Sequence, residues 1–466
     1  MKQLIKGGTV VDASGAVPGD LLIEGEKIVG VVQTGSDTSA AWESGADRVF
    51  DASRKYVLPG GIDAHTHMEM PFGGSQSADT FETGTFAAAH GGTTTIIDFA
   101  IQARGTSLGE GFDTWSAKAA GNCYVDYGFH MIVSDVNEQS LKEMDLLVDA
   151  GISSFKLFMA YPGVFYSTDG EILLAMQKAS ENGATIMMHA ENGIAIDVLV
   201  AQALARGETD PRYHGLTRPS ILEGEATHRA IQLARVAGSP LYIVHLSAKE
   251  ALEEVISARD SGLPVFAETC PQYLFLSDDD LARPGFDGAK YVCSPPVRPS
   301  SHQMDLWRGL RTGDLSVVAT DHCPFCFAGQ KELGRGDFSK IPNGLPGVEH
   351  RMDLIYQGVI RKEIGLSRWV DLVSTTPAKM FGLFPQKGSL APGADADLVI
   401  YDPSASQTIS AATHHMNVDY STYEGMRIQG KVETVFSRGE LLLEEGHFCG
   451  RKGHGSFLKR GLNQFI

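Results

Sequence analysis

The sequence predicts an α/β protein: a (β/α)8 TIM-like barrel with a small β-sandwich domain formed by both termini. Three observations carry this expectation. Eight apolar, strand-like runs alternate with helical stretches through the middle of the chain. Their near-continuous apolar character marks strands buried on both faces, as in a parallel sheet. Both ends read instead as short strands joined by tight turns. At 466 residues the chain is too long for one ordinary core. Two domains are therefore expected, residues 1–58 with 388–466 forming the small one and residues 59–387 the barrel.

The N-terminal strands are QLIKGGTVV, GDLLIEGEKIVGVV and the entry run KYVLPGG. The barrel runs follow in order as VLPGGIDAHTH, TTTIIDFA, VDYGFHMIV, ISSFKLFMA, ATIMMHAEN, PLYIVHLS, PVFAETCP and SVVATDHCP. Between them, stretches such as HRAIQLARVAG and AKEALEEVISARDSG have helical spacing. A doubly wound sheet is the alternative, but no Gly-rich dinucleotide fingerprint accompanies these strands. ADADLVIYDP and VETVFSRGELLLEEG supply the C-terminal strands.

Composition narrows the function. A hydrophobic share of 43% and a charged share of 21% are those of a globular domain. The net charge of -18, with no basic segment to offset it, argues against nucleic acid. No apolar stretch reaches the length of a membrane span, and the N-terminus alternates like a strand rather than a signal peptide. The 6 cysteines are scattered, which points to a reduced, cytoplasmic setting. Cys323 and Cys326 form a CxxC without the second pair a structural zinc site needs, and read as incidental thiols.

The polar residues at the ends of the apolar runs carry the chemistry. His65 and His67 stand two apart in the first run, on one strand face, where both imidazoles can reach one metal ion. The fourth run holds Lys156, the fifth His189, the sixth His245 and the eighth Asp321. A barrel gathers the C-terminal ends of its strands on one face, where active sites lie. Four histidines, a lysine and an aspartate collected there suit borderline metals such as zinc.

A lysine inside an apolar strand is costly, and burial favours its neutral amine. A neutral amine adds carbon dioxide to become a carbamate, an anionic ligand able to bridge two ions. Two ions about 3.5–4 Å apart polarise a carbonyl and activate water for hydrolysis. Asp321 would bind a metal and pass the water's proton to the leaving nitrogen. His322 should face the opposite way, as a supporting residue.

At these residues the chain resembles the dihydropyrimidinase and D-hydantoinase family of cyclic amidases, within the amidohydrolase superfamily. The resemblance runs nearly end to end, through GGIDAHTHMEMPFGG, SSFKLFMAY, MMHAENG, YIVHLS, ETCPQYL, YVCSPPVR, ATDHCPF and IPNGLPGVE. It implies two divalent ions, zinc by preference, bridged by N6-carboxylysine at Lys156. His65, His67 and Asp321 would hold the more buried ion, and His189 and His245 the more exposed one. Tyr161 would donate to the developing oxyanion, and Ser294 and Asn343 would hold the ring amide and imide, largely through the main chain. Met68, Met70, Phe72 and the stretch from Phe158 to Tyr166 would form a lid for the substrate's side group.

The implied activity opens the ring amide of 5,6-dihydropyrimidines and 5-substituted hydantoins to N-carbamoyl amino acids, in a homo-oligomer, a tetramer or dimer. Dihydroorotase is disfavoured, since Glu69 stands where that family places an arginine for the substrate carboxylate. Allantoinase is the nearer alternative and shares the ligands. The remaining rival is a non-catalytic scaffold related to dihydropyrimidinase; the filled ligand positions and short C-terminus argue against it.

Overall fold

In the computed structural model, which describes residues 1–465, the eight runs become eight parallel strands. They are β1 (Gly61–Thr66), β2 (Thr93–Ile101), β3 (Asp126–Ile132) and β4 (Ser154–Phe158), then β5 (Thr185–His189), β6 (Leu241–Ile243), β7 (Val265–Thr269) and β8 (Val317–Val318). Each pairs with its neighbour in chain order. All eight are buried along their whole length, which is why the runs are apolar rather than alternating.

The ring closes between β8 and β1 just beyond the strands themselves. His67 N donates to His322 O at 2.8 Å, and Thr320 N and Oγ1 donate to the buried Asp63 carboxylate at 3.1 and 2.6 Å. The closure therefore falls on the residues flanking the site. Helices surround the strands and start from side-chain caps: Thr80 and Thr168 each form a capping box, contributing on the order of 0.5–2 kcal/mol.

Both termini build one mixed sheet of nine strands. Leu398–Thr408 pairs antiparallel with Tyr56–Pro59, which pairs parallel with Lys2–Asp12. This sheet encloses its own apolar cluster, including Ile5, Leu21, Phe50, Leu398 and Phe436. The first apolar run is divided between the two domains. Tyr56–Pro59 joins the terminal sheet and Gly61–Thr66 opens the barrel. Gly60 is the pivot: its N–H donates to Asp397 O at 2.9 Å, and a Cβ there would lie 2.1 Å from Thr94 Oγ1. Only glycine tolerates that approach.

The last residues leave the terminal sheet and dock on the barrel. Phe457 bridges to Tyr127, and the buried Arg460 donates to Phe129 O and, at 2.8 Å, to Ser154 Oγ. No helix among the described residues is long and apolar enough to cross a membrane.

Candidate metal centre and substrate cavity

Lys156 lies within β4 and His189 ends β5, while His245 and Asp321 follow β6 and β8 by two and three residues. His65 lies in β1 and His67 just past it. All six face the C-terminal mouth of the barrel and are at least nine-tenths buried. His245, Asp321 and Tyr161 take positive φ, at 40°, 52° and 61°. Non-glycine residues adopt that region at a cost, and such costs cluster at functional sites. The backbone is bent there to turn these side chains inward.

His65, His67 and Asp321 bring ligand atoms within 4.8 Å of one another. His65 Nε2 lies 3.2 Å from His67 Nε2, 3.1 Å from Asp321 Oδ1 and 3.0 Å from Lys156 Nζ. The other His65 nitrogen, Nδ1, donates to Glu268 Oε1, so Nε2 carries a lone pair. Ligand atoms of His65, His67 and Asp321 thus converge on one point, an arrangement a bound cation would draw together. The nitrogen and oxygen donors suit a borderline divalent ion. His67 Nδ1 and His245 Nδ1 are buried without a hydrogen-bond partner. The residues present fit a metal centre.

Lys156 is 1% exposed, with its Nζ over the Phe99 ring at 4.3 Å. Burial pulls its amine down to about 8, against the opposing pull of Asp321 and Glu268. Burial also pushes His67 down to about 3, keeping its ring neutral and free to ligate. For Asp321 burial acts upward, but the His65 and His67 rings outweigh it and hold the carboxyl well below the usual range.

A cavity open to solvent lies over these groups. Tyr161, Ser294 and Asn343 line it together with His67, Lys156, His189, His245 and Asp321. Asn343 Nδ2 donates to Ser294 Oγ at 3.1 Å, joining the two loops. Burial raises the Tyr161 phenol far above its ordinary value, so it stays a proton donor. Met70, Phe72, Phe158 and Phe165 form the apolar wall. Phe72 sits on a two-strand hairpin whose turn, Gly73–Gly74, has φ of 60° and 75°. Its ring meets Tyr161 at 5.3 Å. Met68, expected in the same lid, is instead fully buried against the helix Phe81–His90.

Several supporting carboxylates escape a reading of the sequence. Glu268, in β7, orients His65 and accepts from His245 N at 3.1 Å and Tyr242 OH at 2.9 Å. Glu191 takes the Nε2–H of His189 at 2.8 Å, leaving Nδ1 for a ligand. Asp98 accepts from Thr66 Oγ1 at 2.7 Å and Met68 N at 2.8 Å, fixing the chain around His67. Burial raises its carboxyl to about 7. The signal available was an acidic residue inside an apolar run, as in PVFAETCP and TTTIIDFA. His322 faces away, accepting from Gly347 N at 3.1 Å and donating to Asp79 at 3.0 Å, as a supporting residue should. Cys323 lines the cavity wall, and both it and Cys326 are free thiols.

A closed parallel barrel with imidazoles, a carboxylate and a depressed amine at its C-terminal mouth defines a metal-binding hydrolase barrel. Residues 56–442 match the amidohydrolase family. A D-hydantoinase of Streptomyces coelicolor is 66% identical over 100% of this chain and 99% of its own length. A D-hydantoinase of Geobacillus stearothermophilus is 51% identical over 99% of this chain and 97% of its own. The crystal structure of a dihydropyrimidinase from Brevibacillus agri superposes with a TM-score of 0.96 at 48% identity, covering 99% of each chain. The chain belongs to the amidohydrolase family.

Proposed function

We propose that this chain hydrolyses the ring amide of 5-substituted hydantoins, preferring the D enantiomer, and of 5,6-dihydropyrimidines. The observation that carries this reading is the full-length 66% identity to a D-hydantoinase, joined to a cavity whose wall offers Phe72, Phe158 and Phe165 to a ring substituent.

We read the donor set as serving two ions, an assignment supported by the convergence of His65, His67 and Asp321 and by the burial of Lys156, His189 and His245 beside them. His65, His67 and Asp321 would hold one, His189 and His245 the other, with Lys156 as the bridging carbamate. Lys156 forms it when its neutral amine attacks the carbon of carbon dioxide and releases a proton. Two divalent ions, zinc by preference, supply polarisation of the ring carbonyl and a lowered pKa for water.

The chain's own groups do the rest. Asp321 takes the proton of the attacking water and passes it to the ring nitrogen as the C–N bond breaks. Tyr161 OH donates to the oxygen that gains charge at the attacked carbonyl. Ser294 and Asn343 orient the ring, and the aromatic wall packs on the 5-substituent. A homo-oligomer completes the reading: the helix Gly193–Ala205 exposes Ile194 and Val198, both more than half accessible.

The test is hydrolysis of D- and L-5-phenylhydantoin, dihydrouracil, allantoin and dihydroorotate, side by side, before and after chelation. Chelator-sensitive opening of D-5-phenylhydantoin above its enantiomer is expected, with dihydrouracil second. Allantoin as the best substrate would replace this reading with allantoinase, and no opening of any would remove it.

A further inference from the structure

Lys331 has no part in the reaction proposed above, yet it is fully buried against the segments that carry Ser294 and Asn343. Among the described residues it pairs with no carboxylate; its Nζ donates to three main-chain carbonyls instead. These are Val292 O at 2.9 Å, Pro342 O at 2.7 Å and Gly344 O at 2.8 Å. Three donors against three acceptors is the full complement of an ammonium group. A buried cation with no counter-charge is expensive, so its place in the fold calls for a reason.

The three carbonyls belong to two segments. Val292 stands two residues before Ser294, and Pro342 and Gly344 bracket Asn343. Gly344 N also donates to Val292 O at 3.0 Å, and Asn343 Nδ2 to Ser294 Oγ at 3.1 Å. Pro342 O and Gly344 O take no other hydrogen bond among the described residues. Without Lys331, two carbonyls beside Asn343 would be left buried and unmet. The lysine enters from a third segment, held by its own N–H on Cys326 O at 2.9 Å.

We propose that Lys331 is a positioning residue for the substrate: its ammonium clamps 292–294 to 342–344, so that Ser294 and Asn343 grip the ring together. The proposal rests on the reading of those two residues as ring-holding. Its effect is on binding that is shared by ground and transition state, because the clamped groups hold the ring rather than the reacting oxygen.

The test is Lys331→Met, which removes the donors at similar volume, assayed on whichever cyclic imide the wild-type chain opens. Metal content and melting are measured alongside. In the folded variant KM is expected to rise about tenfold with kcat changed by less than about threefold, the pattern of lost uniform binding. A purely structural role would lower the active fraction and with it apparent kcat, leaving KM as it was; that result overturns the proposal. Should Lys331→Met not fold, Lys331→Gln, whose shorter amide cannot meet all three carbonyls, is read by the same KM criterion, with hydrogen exchange at the Gly344 amide as a second readout. Wild-type KM and wild-type protection there would likewise overturn it. Failure of the functional reading shows separately, as absent turnover in the wild-type chain, and the proposal falls with it.

Discussion

Asp321 carries two duties in the proposed reaction, as a ligand and as the proton carrier. Its neighbours favour both, since His65 and His67 keep it ionised in a buried place. Asp321→Asn keeps an oxygen for the ion but cannot accept the water's proton. Turnover of D-5-phenylhydantoin is expected to fall by about 10²–10⁴-fold while most of the metal stays bound. Near-normal turnover with metal retained would remove Asp321 as the carrier. At this scale the six residues that the structure gathers at the barrel mouth were legible because each is a polar side chain in or at the end of an apolar run, where burial without a purpose is costly. Lys331 was not, because it opens a single 3-10 turn, Lys331–Gly334, too short for any periodicity to say which way a side chain points. Only the folded chain shows its three carbonyls.

β7 supplies none of the expected ligands, yet its Glu268 holds His65 in the tautomer that frees Nε2. It also fixes the turn after β6 through His245 N. One strand thus orients His65 on β1 and the turn that carries His245 after β6. Glu268→Gln keeps the shape but loses the charge that supports the imidazole. Zinc affinity, measured by competition with a chelator of known strength, is expected to drop by about 10–100-fold. An unchanged affinity would mean that Glu268 serves packing alone. The strands themselves were plain in the sequence, since strands buried on both faces leave little room for polar residues. Where one strand ended and the next began was less plain. The run VLPGGIDAHTH reads as one strand, and only the close approach of Thr94 to Gly60 shows why it must break there.

The two domains are fastened by charge as well as by strands. Lys387, 1% exposed, sits 2.6 Å from Asp126 at the start of β3, 3.0 Å from Asp395 and 2.7 Å from Asp397 ahead of the terminal strand. Removing the cation leaves its three carboxylates buried around a gap. Lys387→Met is expected to cost about 3–5 kcal/mol, read as a lower urea midpoint with the metal content unchanged in the folded fraction. A midpoint within error of wild type would show that the network contributes nothing net. The pairing of β-rich ends was legible from composition. The docking of Phe457 and Arg460 under the barrel was not, because a short polar tail carries no pattern that names its partner.

On the proposed reading the mouth holds two ions joined through a carboxylated Lys156, and these run the ring opening. The direct measurement is reactivation of the metal-free chain, titrating zinc with and without bicarbonate and following hydrolysis of D-5-phenylhydantoin. A free lysine side chain is almost wholly protonated at neutral pH, with a pKa of about 10.4. The Lys156 amine, pulled to about 8, becomes increasingly neutral as pH rises through that value. Reactivation at a fixed dissolved carbon dioxide concentration is therefore expected to quicken from pH 7 to 9, and activity to level off at two zinc ions per chain. Full activity at one ion, or reactivation indifferent to bicarbonate and pH, would contradict the account.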